Sequence, residues 1–183
     1  MARELALRTD SAGETMALGA ALARVVSRGD MLLLAGDLGA GKTTLTKGLA
    51  RGLGVDDLVT SPTFTLVRSY GCANPAAEGD EMAVRNLVHA DLFRLEGLTE
   101  VAELAIGELL EEEDACAVVE WGDVAGPFFG PQTLVVRLSL GDAPTERLVS
   151  VEIPDGWEPR RETLESVLCD WLGGPDSEED RQE

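Results

Sequence analysis

The residues with the clearest chemical potential are Gly36-Asp37-Leu38-Gly39-Ala40-Gly41-Lys42-Thr43. They satisfy the phosphate-loop pattern of two glycines with four residues between them, then lysine, then a hydroxyl. Glycines let the backbone curl so that successive N–H groups face one anion. The following helix adds the partial positive charge of its N-terminus. Lys42 then brings a point charge to the β- and γ-phosphates, and the Thr43 hydroxyl suits Mg²⁺. The flanks fit: apolar Met31–Ala35 reads as a buried strand, and Lys42–Leu53 as a helix stopped at Gly54. An accidental glycine-rich turn would not need those flanks. The expected nucleotide contacts are Asp37, Leu38, Gly39, Ala40, Gly41, Lys42, Thr43 and Thr44.

Such a loop needs a second acid for the magnesium shell. Ala115–Val119 is an apolar run ending in Glu120, and parallel strands deliver their C-terminal ends to the ligand crevice. Thr43 and Glu120 are therefore the expected metal ligands, and ATP with Mg²⁺ the expected cofactors. In His89-Ala90-Asp91-Leu92-Phe93-Arg94, strand alternation places His89, Asp91 and Phe93 on one face and Ala90, Leu92 and Arg94 on the other. Asp91 joins Lys42 and Glu120 as an expected catalytic residue, as an outer magnesium ligand or water-positioning carboxylate. His89 reads equally well as a hydrogen-bonded structural residue. Ser61-Pro62-Thr63-Phe64-Thr65 sits where a nucleotide-sensing segment could lie, but from sequence alone it reads first as a turn leading into a strand.

Around these residues, Glu4–Arg8 reads as a strand and Ser11-Ala12-Gly13-Glu14 as a capping box opening a helix over Thr15–Val26. Strands are expected over Thr63–Tyr70 and Leu87–Leu95, with a mobile loop Gly71–Asn86 between them. A helix follows over Thr99–Glu113, then an antiparallel pair, Thr133–Leu140 and Arg147–Ile153. Arg161–Leu172 is the last helix, with Leu164, Val167, Leu168 and Trp171 inward. The expected fold class is α/β: a three-layer phosphate-loop domain with a mixed, mainly parallel sheet. It should fill residues 1–172, leaving 173–183 as an acidic disordered tail.

The 183 residues are 44% hydrophobic and 27% charged, ordinary for a globular chain. No stretch is apolar for long enough to span a bilayer, and the N-terminus has no signal-peptide pattern. Three separated cysteines suit a reducing cytoplasm better than a disulfide framework. A formal charge of −19 repels phosphate backbones, so DNA and tRNA should not be held directly.

The motifs together resemble one family. GDLGAGKTTL at Gly36–Leu45, SPTFTLVRSY at Ser61–Tyr70, HADLFR at His89–Arg94 and VVEW at Val118–Trp121 have the order and spacing of the TsaE family. The resemblance runs over roughly residues 5 to 155. It implies a small cytoplasmic ATPase that works with TsaD-like and TsaB-like subunits to make threonylcarbamoyladenosine in tRNA. It makes Lys42 and Thr43 the phosphate-loop cation and magnesium ligand, and Glu120 the Walker-B-like acid with Trp121 as its companion. Thr63 falls in the switch-like segment, Asp91 in the H-x-D-x-Y-R motif, and Thr9–Ala12 near the base. Phe93 stands where the family usually has tyrosine, and the 71–86 loop is longer than usual. A small-molecule kinase is the alternative, but Glu96–Glu120 has no Arg or Lys between its ends for a lid. A GTPase is disfavoured by the absence of N-K-x-D. No arginine finger is evident: Arg94 is expected to point away from the phosphates, and Arg68 to reach them only if its segment folds inward. Turnover is therefore expected to be slow without partners.

Overall fold

A computed structural model describes residues 3–73, 82–95, 97–121 and 129–173. One seven-stranded sheet organises them, in the order β1-β7-β6-β2-β5-β4-β3. The strands are β1 (Arg3–Thr9), β2 (Met31–Ala35), β3 (Val67–Gly71), β4 (Asn86–Asp91), β5 (Ala115–Glu120), β6 (Leu134–Leu140) and β7 (Arg147–Ile153). The central strands β6, β2, β5 and β4 are mutually parallel. β7 runs against both β6 and β1, and β3 runs against β4. Five strands therefore point one way and two the other, a mixed and mainly parallel sheet.

Strand alternation sorts the side chains into two layers. Leu32 and Leu34 of β2, Cys116 and Val118 of β5 and Leu134 and Val136 of β6 face one core. Helices α1 (Ala12–Leu22), α2 (Lys42–Gly52) and α5 (Arg161–Leu168) close it with Leu18, Leu45, Leu49, Leu164 and Leu168. Leu33, Val88, Ala90, Ala117 and Val119 face the other core, under Val101 of α3 (Leu98–Glu103) and Ile106 and Leu110 of α4 (Ile106–Glu112). This is the expected α/β class with helices on both faces. The same period decides the site. His89 and Asp91 follow Leu87, and Glu120 follows Val118, onto the face beneath α2.

Helix α2 is seated tightly. A Cβ on Gly48 would lie 1.9 Å from the Met16 carbonyl oxygen of α1, so only glycine permits that approach. α1 starts with a capping arrangement: Ser11 Oγ accepts from the Glu14 N–H at 3.1 Å. Glu14 reaches back, but to the Asp10 N–H at 2.9 Å rather than to that of Ser11.

Five expectations need correction. β3 begins at Val67, not Thr63, because Leu66 adopts φ +65° and donates to the Pro62 carbonyl at 2.7 Å, closing a turn. β4 ends at Asp91, not Leu95, so Arg94 stands beyond the strand. Thr99–Glu113 is two helices, because Ala105 takes φ +49° between α3 and α4. α5 stops at Leu168 and tightens into a 3₁₀ turn over Cys169–Trp171. Gly71 and Asn86, taken as the ends of the mobile loop, are paired in the sheet. Residues 74–81 of that loop and 174–183 of the tail lie outside the described residues. The three cysteines are free thiols, and no described helix is long and apolar enough to cross a membrane.

Candidate functional site

The glycine-rich loop joins the C-terminal end of β2 to the N-terminus of α2. Gly36, Gly39 and Gly41 have φ of +130°, +82° and +108°, which L side chains rarely adopt. Gly36 is also hemmed in, since a Cβ there would meet the Leu138 carbonyl oxygen at 2.1 Å. Helix α2 begins at Gly41 without a capping side chain. Its first turn can therefore offer N–H groups to an anion. Lys42 is only 5% exposed; its Nζ donates to the Gly36 and Asp37 carbonyls at 2.6 and 2.8 Å. The Trp121 ring centroid lies 3.9 Å from that Nζ. Trp121 itself is in the left-handed region, φ +62°, and its ring leans on Phe93 at 4.9 Å. A cation over an indole face is favourable, so ring and lysine hold each other.

On the opposite wall two carboxylates are buried. Glu120 Oε2 accepts from Thr43 Oγ1 at 3.0 Å, and Oε1 lies 2.9 Å from His89 Nε2. Asp91 is the acceptor for three donors. Ser61 Oγ and Thr63 Oγ1 both donate to Oδ2 at 2.6 Å, and the Phe93 N–H donates to Oδ1 at 2.9 Å. The Asp91 N–H donates to the Leu66 carbonyl at 2.9 Å, which brings the whole Ser61–Leu66 turn alongside β4. The Ser61–Thr65 segment is thus part of the site, against the simpler reading of it as a strand start.

A cavity of about 360 Å³ lies between these walls. Leu38, Gly39, Gly41, Lys42, Thr43 and Thr44 line it on the loop side; Ser61, Thr63, Asp91, Phe93, Glu120 and Trp121 line it opposite. Asp37 and Ala40 do not line it. They shape the loop instead, through the Ala40 N–H to the Asp37 carbonyl at 3.1 Å. Arg68 stacks on Tyr70 and Arg94 on the exposed Phe64, at 5.1 and 4.3 Å from the ring centroids, and neither lines the cavity. Thr9 is buried, its hydroxyl 2.8 Å from that of Thr15, whose methyl packs beside Gly41; Thr9–Ala12 does not reach the cavity wall.

One residue of the site escaped the sequence reading. Arg147, at the start of β7, donates from Nε to the Ala40 carbonyl at 3.0 Å and from a terminal nitrogen to that of Gly39 at 3.3 Å. It clamps the outside of the loop from 107 positions away. No local signal marks such a residue.

The donor set fits magnesium. A hydroxyl and a carboxylate 3.0 Å apart are hard oxygen ligands for a cation that keeps several waters and borrows phosphate oxygens. Among the described residues no group of three or more His, Cys, Asp or Glu could hold a metal alone. A cation here would complete its shell with oxygens from water or a bound ligand. Thiol chemistry is disfavoured: burial pushes Cys72 up to about 11 and raises Cys116 as well.

Fold and site define an α/β protein whose central parallel strand feeds a glycine-rich loop faced by buried carboxylates. The family model described as threonylcarbamoyl adenosine biosynthesis protein TsaE matches residues 9–149. A Streptomyces coelicolor protein named tRNA threonylcarbamoyladenosine biosynthesis protein TsaE is 46% identical over 110 residues, 58% of this chain and 66% of that one. A Bacillus subtilis protein of the same name is 40% identical over 119 residues, 65% of this chain and 67% of its own. The crystal structure of Bacillus subtilis YdiB superposes with a TM-score of 0.68 at 30% identity, covering 91% of this chain and 97% of that one. The chain belongs to the TsaE family. The matched region spans just under two thirds of the Streptomyces protein's length.

Proposed function

We propose that the chain binds ATP with Mg²⁺, hydrolyses it, and serves as the ATPase subunit for threonylcarbamoyladenosine modification of tRNA, in the cytoplasm and with TsaD-like and TsaB-like partners. One observation carries the nucleotide reading: the Thr43 hydroxyl after the glycine-rich loop meets the Glu120 carboxylate at 3.0 Å. That pairing of loop hydroxyl and strand-end acid is what a magnesium-nucleotide site requires.

On this reading the loop N–H groups and the α2 N-terminus take the phosphates, and Lys42 leaves the Gly36 and Asp37 carbonyls for the β/γ oxygens. Thr43 and Glu120 hold the cation, which when bound neutralises charge on the transferring phosphoryl group. Asp91 acts through Ser61 and Thr63, keeping two hydroxyls at the cavity wall where an attacking water can be oriented. Arg147 keeps the Gly39 and Ala40 carbonyls turned outward. Water is the acceptor. Lys42 is the only cationic side chain among the described lining residues, which disfavours a kinase acceptor site for anionic substrates. The same feature leaves the transition state without an arginine, a contribution of roughly 10³–10⁵ in rate when one is supplied. The partners are proposed to supply or position it, and to hold the tRNA that a chain of −19 charge repels. DNA and membranes have no part in this reading.

The test is phosphate release from ATP and from GTP with water as sole acceptor, for the chain alone and with the candidate partner pair. Slow ATP turnover that rises with the pair supports the proposal. Equal rates remove partner activation, and no ATP turnover under either condition overturns the ATPase reading.

A further inference from the structure

We propose that His89 is the positioning residue for Glu120: it donates its Nε2 proton to Oε1 and so leaves Oε2 as the oxygen offered to Thr43 and the cation. The proposal rests on the magnesium-nucleotide reading above.

His89 is fully buried in the middle of β4, and its Nε2 lies 2.9 Å from Glu120 Oε1. In the parallel register His89 stands opposite Val118 and Asp91 opposite Glu120. The imidazole therefore reaches Glu120 diagonally, two residues along the same face of the sheet. The other ring nitrogen, Nδ1, is buried and has no hydrogen-bond partner among the described residues. A proton on Nδ1 would be a buried donor without an acceptor, the rarer kind of orphan in folded proteins. The hydrogen bond to Glu120 is then made by the tautomer with its proton on Nε2, and Glu120 is purely the acceptor.

A histidine kept only for packing would gain nothing from this arrangement, since a leucine fills similar space without a polar atom to satisfy. The contact matters because a free carboxylate can rotate and present either oxygen. Here Oε1 is taken by His89 and Oε2 by Thr43, so the plane of the carboxylate is fixed before a cation arrives. Hydrogen bonds that orient a metal-binding carboxylate typically change metal affinity by about 10–100-fold.

The chain has a single histidine, so a long-range ¹H–¹⁵N spectrum of the uniformly labelled full chain reports this ring alone. The expected pattern, without nucleotide, is a protonated Nε2 and an unprotonated Nδ1. A proton on Nδ1 overturns the proposal. The second arm is calorimetric titration of ATP at graded magnesium and in chelator. His89→Leu and His89→Asn, whose short amide cannot reach Glu120, should raise the magnesium needed for half-maximal binding by about 10-fold or more. Chelator-measured ATP affinity should stay unchanged. His89→Gln, whose amide nitrogen falls near the Nε2 position, should recover most of the loss. Magnesium dependence in the parent that Leu and Asn leave untouched, or that Gln loses as fully as Leu, sinks the positioning role alone. A parent chain whose ATP binding ignores magnesium removes the nucleotide reading, and this proposal with it.

Discussion

Two segments face each other across the same cavity and are held in different ways. The loop Gly36–Thr43 is fixed by its own backbone. Three glycines take φ values closed to other residues, Gly36 is packed against Leu138, and Arg147 grips the Gly39 and Ala40 carbonyls. The Ser61–Leu66 turn is tied to β4 by one Asp91 carboxylate oxygen and one backbone bond, from the Asp91 N–H to the Leu66 carbonyl, and its Phe64 is 84% exposed. The first is held in shape by its own backbone, as the proposed phosphate-binding role requires. The second can be released by disturbing Asp91 alone, which suits a segment whose position must answer to what occupies the cavity.

The contrast can be broken from the loop side first. Lys42→Ala should lower ATP turnover by about 10²–10³, the loss typical of one preorganised charge donor. Steady-state phosphate release reads it, and a parent-like rate would separate the loop from catalysis. Gly36→Ala should cost about 2 kcal/mol or more of stability, because it adds a Cβ both at a disallowed φ and against Leu138. Denaturant unfolding of the full chain measures it, and a midpoint equal to the parent's would mean the loop yields easily.

The opposite segment should respond differently. Asp91→Asn keeps the shape but turns two charge-assisted hydroxyl bonds into neutral ones, a loss of about 1–2 kcal/mol in all. The sign of the comparison lies in where it appears: amide hydrogen exchange should quicken at residues 63–66 and not at 39–45. Uniform quickening would contradict the separation. Phe64→Ala should change stability by less than about 0.5 kcal/mol, since an exposed ring supports little. Its contact with Arg94 makes any larger loss evidence that the turn is more firmly held than its exposure implies.

The same difference explains what could be read from the sequence. The loop is a contiguous motif whose chemistry and geometry coincide, so Lys42, Thr43 and their neighbours stand out at once. Glu120 followed from a strand period and the rule that parallel strands end at the crevice. The turn did not follow, because its partner Asp91 is 28 to 30 positions distant and its shape depends on Leu66 at positive φ. Extending β3 back to Thr63 was the natural reading of an alternating segment. Ala105 is a similar case: alanine favours helix, yet its φ of +49° divides the segment into α3 and α4. Arg147 is a fully non-local contact and left no trace in its neighbours. The fold class was accessible because buried strands and amphipathic helices repeat over many residues, whereas each of these misses turns on one dihedral or one long-range bond.

On the proposed reading the cavity takes ATP together with a divalent cation shared by Thr43 and Glu120. Calorimetric titration of ATP into the full chain, with magnesium and with chelator, tests it most directly when repeated on Glu120→Gln. The expected outcome is magnesium-strengthened binding in the parent, a loss of most of that magnesium gain in Glu120→Gln, and little change between the two proteins in chelator. A magnesium gain of the same size in both proteins, or no ATP binding by the parent at all, would contradict it.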